Sequence, residues 1–176
     1  TYPFVIVTGG DAPYKTMEEL AAHAKENDVV LGHFGAPLVP TKVTLALAKT
    51  MGFGYASDAA FDNLDCNTLA SGDVDVMNTT LQLVLPCIDD ITVLAAVTAD
   101  RITLTPDAPT VVEMAPELGM DLWNGLFIHK DTPEDVRAKI VESAKATMMS
   151  ERAQKLAADT GASVYWQSPE ETAARI

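Results

Sequence analysis

Val29-Val-Leu-Gly-His-Phe-Gly-Ala-Pro-Leu-Val-Pro-Thr-Lys-Val-Thr-Leu-Ala-Leu-Ala-Lys-Thr-Met51 (VVLGHFGAPLVPTKVTLALAKTM) reads as strand, loop and helix in succession. Val29–Phe34 is a short apolar run suited to a buried strand. Gly35-Ala-Pro-Leu-Val-Pro40 is a loop, and Thr41 opens a helix whose Val43, Ala46, Leu47 and Met51 share one face. Gly52 is its stop. A strand passing through a loop into a helix, in a unit too long for a hairpin, is part of a parallel crossover.

The same grammar extends outward. Upstream, Phe4–Val7 is an apolar strand, and Thr16-Met-Glu-Glu19 is a capping box for a helix with Met17, Leu20, Ala21 and Ala24 on one face. Downstream come a weak strand near Tyr55–Ala59 and a short helix capped by Asp62 or Asn63 and ended by Gly72. Val74–Met77 is a strand, Leu81, Val84, Leu85 and Ile88 form a helical face with Pro86 as its breaker, and Ile91–Thr98 is a strand. Thr110-Val-Val-Glu113 is a second capping box before a brief helix that Pro116 closes, and Leu126–Ile128 is a last apolar strand. This alternation predicts an α/β sandwich around a mostly parallel sheet.

After Ile128 the pattern turns helical. Thr132-Pro133-Glu-Asp135 opens one helix, Ser150-Glu-Arg a second that Gly161 stops, and Ser168-Pro169-Glu-Glu171 caps a third after a short strand, Ser163–Trp166. The chain begins almost directly on a strand and stops soon after a cap, which reads as a piece of a longer protein.

Its 176 residues suit one domain or a little more, with 48% hydrophobic and 21% charged residues, a globular composition. A net charge of −13 argues against a nucleic-acid binder, which needs a basic face, and against docking on an anionic membrane. No apolar run approaches the ~18 residues of a membrane span, and no signal peptide is visible. Cys66 and Cys87 permit one bridge, but both sit among Leu and Ile at helical positions and read as two buried free thiols.

Catalytic patterns are poor. His23, His33 and His129 are scattered and suit surface or hydrogen-bonded core positions better than a zinc site. No serine lies in a nucleophile elbow and no phosphate loop is present; Gly52-Phe-Gly54 lacks its third glycine. Asp62, Asp65, Asp73 and Asp75 lack calcium-loop spacing. No cofactor, metal or enzyme is expected. A recognition site does better: Phe34–Thr41 and Asn78-Thr79-Thr80 each follow a strand and precede a helix, where backbone N–H groups and polar side chains face the sheet's carboxyl edge. The two segments suit a carboxylate. The plainer alternative makes Thr41 and Thr79 or Thr80 mere helix caps.

The whole chain resembles the substrate-binding receptors of tripartite tricarboxylate transporters, the TctC or Bug family. The carriers are Pro3-Phe4-Val5-Ile6-Val7, Lys15-Thr-Met-Glu-Glu-Leu20, Leu69-Ala-Ser-Gly72 with Val74-Asp-Val-Met77, Leu85-Pro86 and Ala95-Ala-Val-Thr98. Pro106-Asp-Ala-Pro-Thr-Val-Val-Glu113, Trp123-Asn-Gly-Leu-Phe127, Thr132-Pro133, Thr160-Gly-Ala162 and Ser168-Pro-Glu-Glu171 complete the series.

The resemblance implies a periplasmic solute receptor of two α/β lobes, of the periplasmic-binding-protein type. Such a receptor closes on a small carboxylate and delivers it to a membrane permease without a cofactor. Residues 1–124 resemble the second lobe, and 125–176 the C-terminal elements that complete the first, whose N-terminal part has no counterpart here. Helices of 125–176 would then self-associate, shield one another or stay mobile. The implied ligand-binding residues are Phe34, Gly35, Ala36, Thr41, Lys42, Asn78, Thr79 and Thr80, with Trp123 at the return crossing. Phe34 and Val39 stand where the family usually has serines, Lys42 where it has histidine, and Thr79 where an aspartate often follows the strand. The family's Tyr-Lys-Gly is replaced near Ala59-Ala-Phe61. The rival readings are an α/β enzyme with an unrecognised site and a sensory lobe signalling to a membrane kinase.

Overall fold

A computed structural model describes residues 2–119 and 122–176. The chain divides into two compact units, Pro3–Asp121 and Leu122–Ile176 with Thr1–Tyr2.

The first unit is built on a five-stranded sheet: β1 Phe4–Gly9, β2 Val30–His33, β3 Ser57–Ala60, β4 Val76–Thr80 and β5 Ile91–Val97, in the order β3-β2-β4-β1-β5. β2 runs parallel to β3 and to β4, whereas β1 is antiparallel to both β4 and β5. The expected mostly parallel sheet is therefore mixed, with four strands in one direction and β1 reversed between two of them. The five strands sit within three residues of the sequence expectation at every end; β1, β2 and β5 are mainly apolar runs, whereas β3 is Ser-Asp-Ala-Ala and β4 ends in Asn-Thr-Thr.

Helices cover both faces. On one side lie α1 Met17–His23, α2 Val39–Thr50 and α5 Val111–Met114; Met17, Leu20, Val43, Leu47 and Val111 pack there on Ile6, Leu31 and Val76. On the other side, α4 Leu81–Val84 contributes Leu81 and Val84, which join Leu64 and Val74 against Val5, Val7 and Met77. Successive residues Val5, Ile6 and Val7 thus alternate between the two cores, as a strand's period of two demands. Each such buried aliphatic side chain stabilises the fold by roughly 1.5–3 kcal/mol. Gly32 on β2 is closely packed: a Cβ there would stand 3.1 Å from Leu64 Cδ2 and from Val74 Cγ1, so those side chains would have to shift.

The capping signals hold with small shifts. Thr16 caps α1, and Thr110 and Glu113 form a reciprocal capping box on α5. Asp65, rather than Asp62 or Asn63, caps α3 Cys66–Ala70, since its carboxylate reaches the Asn67 N–H at 2.9 Å. The helix expected over Leu81–Ile88 breaks after α4 into a 3-10 turn, Leu85–Asp90, as Pro86 dictates.

Cys66 and Cys87 are joined in a disulfide, which corrects the expectation of two free thiols. The bridge fastens α3 to the 3-10 turn, two elements each too short to hold its place by its own hydrogen bonds.

The second unit holds α6 Glu134–Met148, α7 Glu151–Thr160 and α8 Pro169–Arg175. Ser150 caps α7, Gly161 ends it at φ 68°, and Ser168 with Glu171 forms the capping box of α8. Leu126–Ile128 and Ser163–Trp166, expected as strands, form none. A strand exists only where its N–H and C=O groups find a ladder partner, and apolar runs do not supply one by themselves. Leu126 and Phe127 are 71% and 70% exposed, and Val136 and Leu156 on the helices are exposed as well.

Candidate functional site

β2, β3, β4 and β5 end at one edge of the sheet, and β1 begins there. Phe4, the first residue of β1, stands opposite Thr80 on β4 and Val97 on β5. The Phe34 ring, just past β2, meets the Phe4 ring edge-on at 6.3 Å between centroids. His33 is level with Ala60 on β3. The two segments singled out in the sequence, Phe34–Thr41 and Asn78–Thr80, thus reach the same edge.

α2 begins at Val39 with Pro40 in its first turn, two residues earlier than expected, because proline's fixed φ suits that position. Thr41 is therefore inside the helix, buried, and not its cap. The N-cap residue is Leu38, whose side chain makes no capping bond. The first-turn amides and the positive end of a 12-residue helix are left for another acceptor. Gly35, at φ 150°, starts the turn that leads there and receives the Leu38 N–H at 3.1 Å. Ala36 and Lys42 are exposed beside it.

Asn78, Thr79 and Thr80 are not a loop but the last three residues of β4, paired with Ile6, Val5 and Phe4. All three are buried. Thr79 faces the core opposite α2 and donates its only hydroxyl hydrogen to the Leu64 carbonyl at 2.7 Å. Thr80 stands at the N-cap of α4, but its side chain makes no capping bond. Of Thr41, Thr79 and Thr80, only Thr80 occupies a cap position, and none of the three caps a helix through its side chain.

His33, expected at a surface or hydrogen-bonded core position, is buried and bonded to a side chain at this edge. Its Nε2 lies 2.7 Å from Asp58 Oδ1, with the histidine side chain 2% and the aspartate 46% exposed. His33 Nδ1 and Asn78 Nδ2 are buried without a hydrogen-bond partner. The partnership with Asp58 spans 25 positions and crosses strands, so no local motif announces it. Trp123 belongs to the second unit, where its ring lies 5.6 Å from the Arg175 guanidinium carbon.

Among the described residues no group of three His, Cys, Asp or Glu could hold a metal ion, and no helix is long and apolar enough to cross a membrane.

A family model described as the tripartite tricarboxylate transporter family receptor (TctC) matches residues 1–176. A curated relative, the UPF0065 protein of the TAR-I ttuE-ttuC' intergenic region of Agrobacterium vitis, is 29% identical over 166 residues, covering 83% of this chain and 44% of the relative. The periplasmic binding protein BugD is similar in structure, with a TM-score of 0.83 and 24% identity over 99% of this chain and 61% of that one. MatC of Rhodopseudomonas palustris, solved with bound malate, gives a TM-score of 0.76 and 22% identity over 96% of this chain and 59% of that one. The chain spans less than half the length of the curated relative it matches. At these identities the structural neighbours establish the fold.

Proposed function

The chain belongs to the tripartite tricarboxylate transporter receptor family, and from that premise we propose that it serves in an extracytoplasmic receptor for a small carboxylate. In this reading residues 1–124 make the second ligand-binding lobe and 125–176 supply C-terminal elements of the first. The carboxylate sits at the start of α2. It is held by the amides of Gly35 and Ala36 and the first helical turn, with the Lys42 ammonium, Thr80 and Asn78 beside it and Phe34 against its carbon skeleton. Thr41 and Thr79 hold the frame.

The observation that supports this most is the uncapped N-terminus of α2 at the edge where four strands end. A chain of net charge −13 repels anions at range, though screening over about 8 Å at physiological salt limits that. Affinity must therefore come from donors in contact with the ligand, each contributing about 1.5–3 kcal/mol when the acceptor is charged. The loaded receptor delivers its ligand to a membrane permease. The Cys66–Cys87 bridge supports an oxidising compartment outside the cytoplasm.

Calorimetry on the native gene product tests the reading. Small mono-, di- and tricarboxylates are titrated beside their methyl esters. A carboxylate that binds one to one while its ester does not is the expected result. Absence of binding by every acid, or consumption of the acid on incubation, would overturn it.

A further inference from the structure

His33 and Asn78 stand on neighbouring strands and face the same side of the sheet. The register pairs Leu31 with Val76 and Gly32 with Met77, so His33 and Asn78 follow as the next rung. Leu31 and Val76 pack in the core beneath α2, while Met77 and the space above Gly32 belong to the opposite core. Alternation returns His33 and Asn78 to the α2 side. They are 2% and 1% exposed there, and each keeps one nitrogen unpartnered.

Their chemistry is complementary. The Asp58 carboxylate only accepts, so the hydrogen of the His33–Asp58 contact is on Nε2, and with one proton on the ring Nδ1 is an acceptor. Asn78 Nδ2 is a donor. Buried polar groups in native proteins are almost always satisfied, so an acceptor and a donor left open on one rung call for an occupant. We propose that this pair receives the hydroxyl group of a hydroxycarboxylate, an inference that rests on the carboxylate reading above.

A hydroxyl accepts the Asn78 hydrogen and gives its own to His33 Nδ1. A second carboxylate has no hydrogen for Nδ1, and its charge would have to be stripped of water in a shielded place. An ammonium could donate to Nδ1 but would face the Asn78 N–H with like polarity. The pair thus selects hydroxy acids over plain dicarboxylates and over amino acids. Asp58 is a positioning residue: it fixes which ring nitrogen accepts.

The test compares matched ligands on the native gene product by calorimetry: malate with succinate and with aspartate, and citrate with tricarballylate. The hydroxy acid is expected to bind at least tenfold more tightly than its partners. Asp58 is half-exposed, so Asp58→Asn should fold, and it should cut that preference several-fold while leaving the weaker partner's affinity unchanged. His33→Phe and Asn78→Leu should abolish the preference, with thermal melting confirming the fold. Equal binding within every pair would overturn the inference and leave the carboxylate reading standing. A preference that survives His33→Phe would overturn the role of His33, and one that survives Asp58→Asn would overturn the positioning role of Asp58. Failure of every acid to bind would overturn both.

Discussion

Thr79 shows how one hydroxyl can be assigned by parity. It lies in phase with Met77 and opposite Val5, on the side of the sheet away from α2, and its hydrogen goes to the Leu64 carbonyl. Thr79→Val keeps the shape and leaves that carbonyl unsatisfied, so it should cost about 1–3 kcal/mol. Urea denaturation should register the loss, and the affinity for a carboxylate should stay unchanged. The sequence shows polar residues after Val74–Met77 and so suggests a loop, because the apolar run ends at Met77. β1 carries Phe4, Val5 and Ile6 alongside Asn78–Thr80, and that ladder, invisible locally, makes them strand. His33 was legible as a histidine in an apolar run. Its partner Asp58 was not, since 25 residues and a strand crossing separate them.

Elements were legible wherever the signal was local. Thr16, Thr110, Ser150 and Ser168 all cap the helices that their side chains announce. At α5 the cap is tied to charge: the Arg101 guanidinium, bonded to both oxygens of Glu113 at 2.8 and 2.6 Å, holds that carboxyl below the usual glutamate range. A lowered folded-state pKa stabilises above the unfolded value of about 4.3, and the contribution disappears as pH falls through the lower folded value. Glu113→Gln should therefore shift the urea midpoint at pH 7, and the two proteins should converge in strong acid. Thr110→Ala should cost about 0.5–2 kcal/mol at any pH where the protein is folded, read by the same urea midpoint. The disulfide was not legible, because each cysteine by itself resembles a helical core residue. Closing a loop of 21 residues, it should stabilise the first unit by about 3 kcal/mol, read as a lower melting temperature after reduction. Leu126–Ile128 and Ser163–Trp166 depart from expectation for the converse reason: they resemble strands but find no ladder.

At the scale of the molecule, class and layer order follow from the alternation of strands and helices, but strand direction does not. Nothing in Phe4–Val7 says that β1 will run against β4 and β5, because an apolar run buried on both faces reads alike in either direction. The edge where β2 to β5 end is nonetheless the one the strand-to-helix junctions indicate, and the uncapped start of α2 brings the positive end of a helix to it. A receptor and an enzyme built on this edge differ in what becomes of the bound acid. Native mass spectrometry of the gene product purified from its own cells separates them most directly. A one-to-one adduct whose mass is that of a small carboxylic acid, recovered unchanged after prolonged incubation, is the predicted result. A protein that carries no acid and takes up none, or one that converts the acid it carries, would contradict a carboxylate receptor.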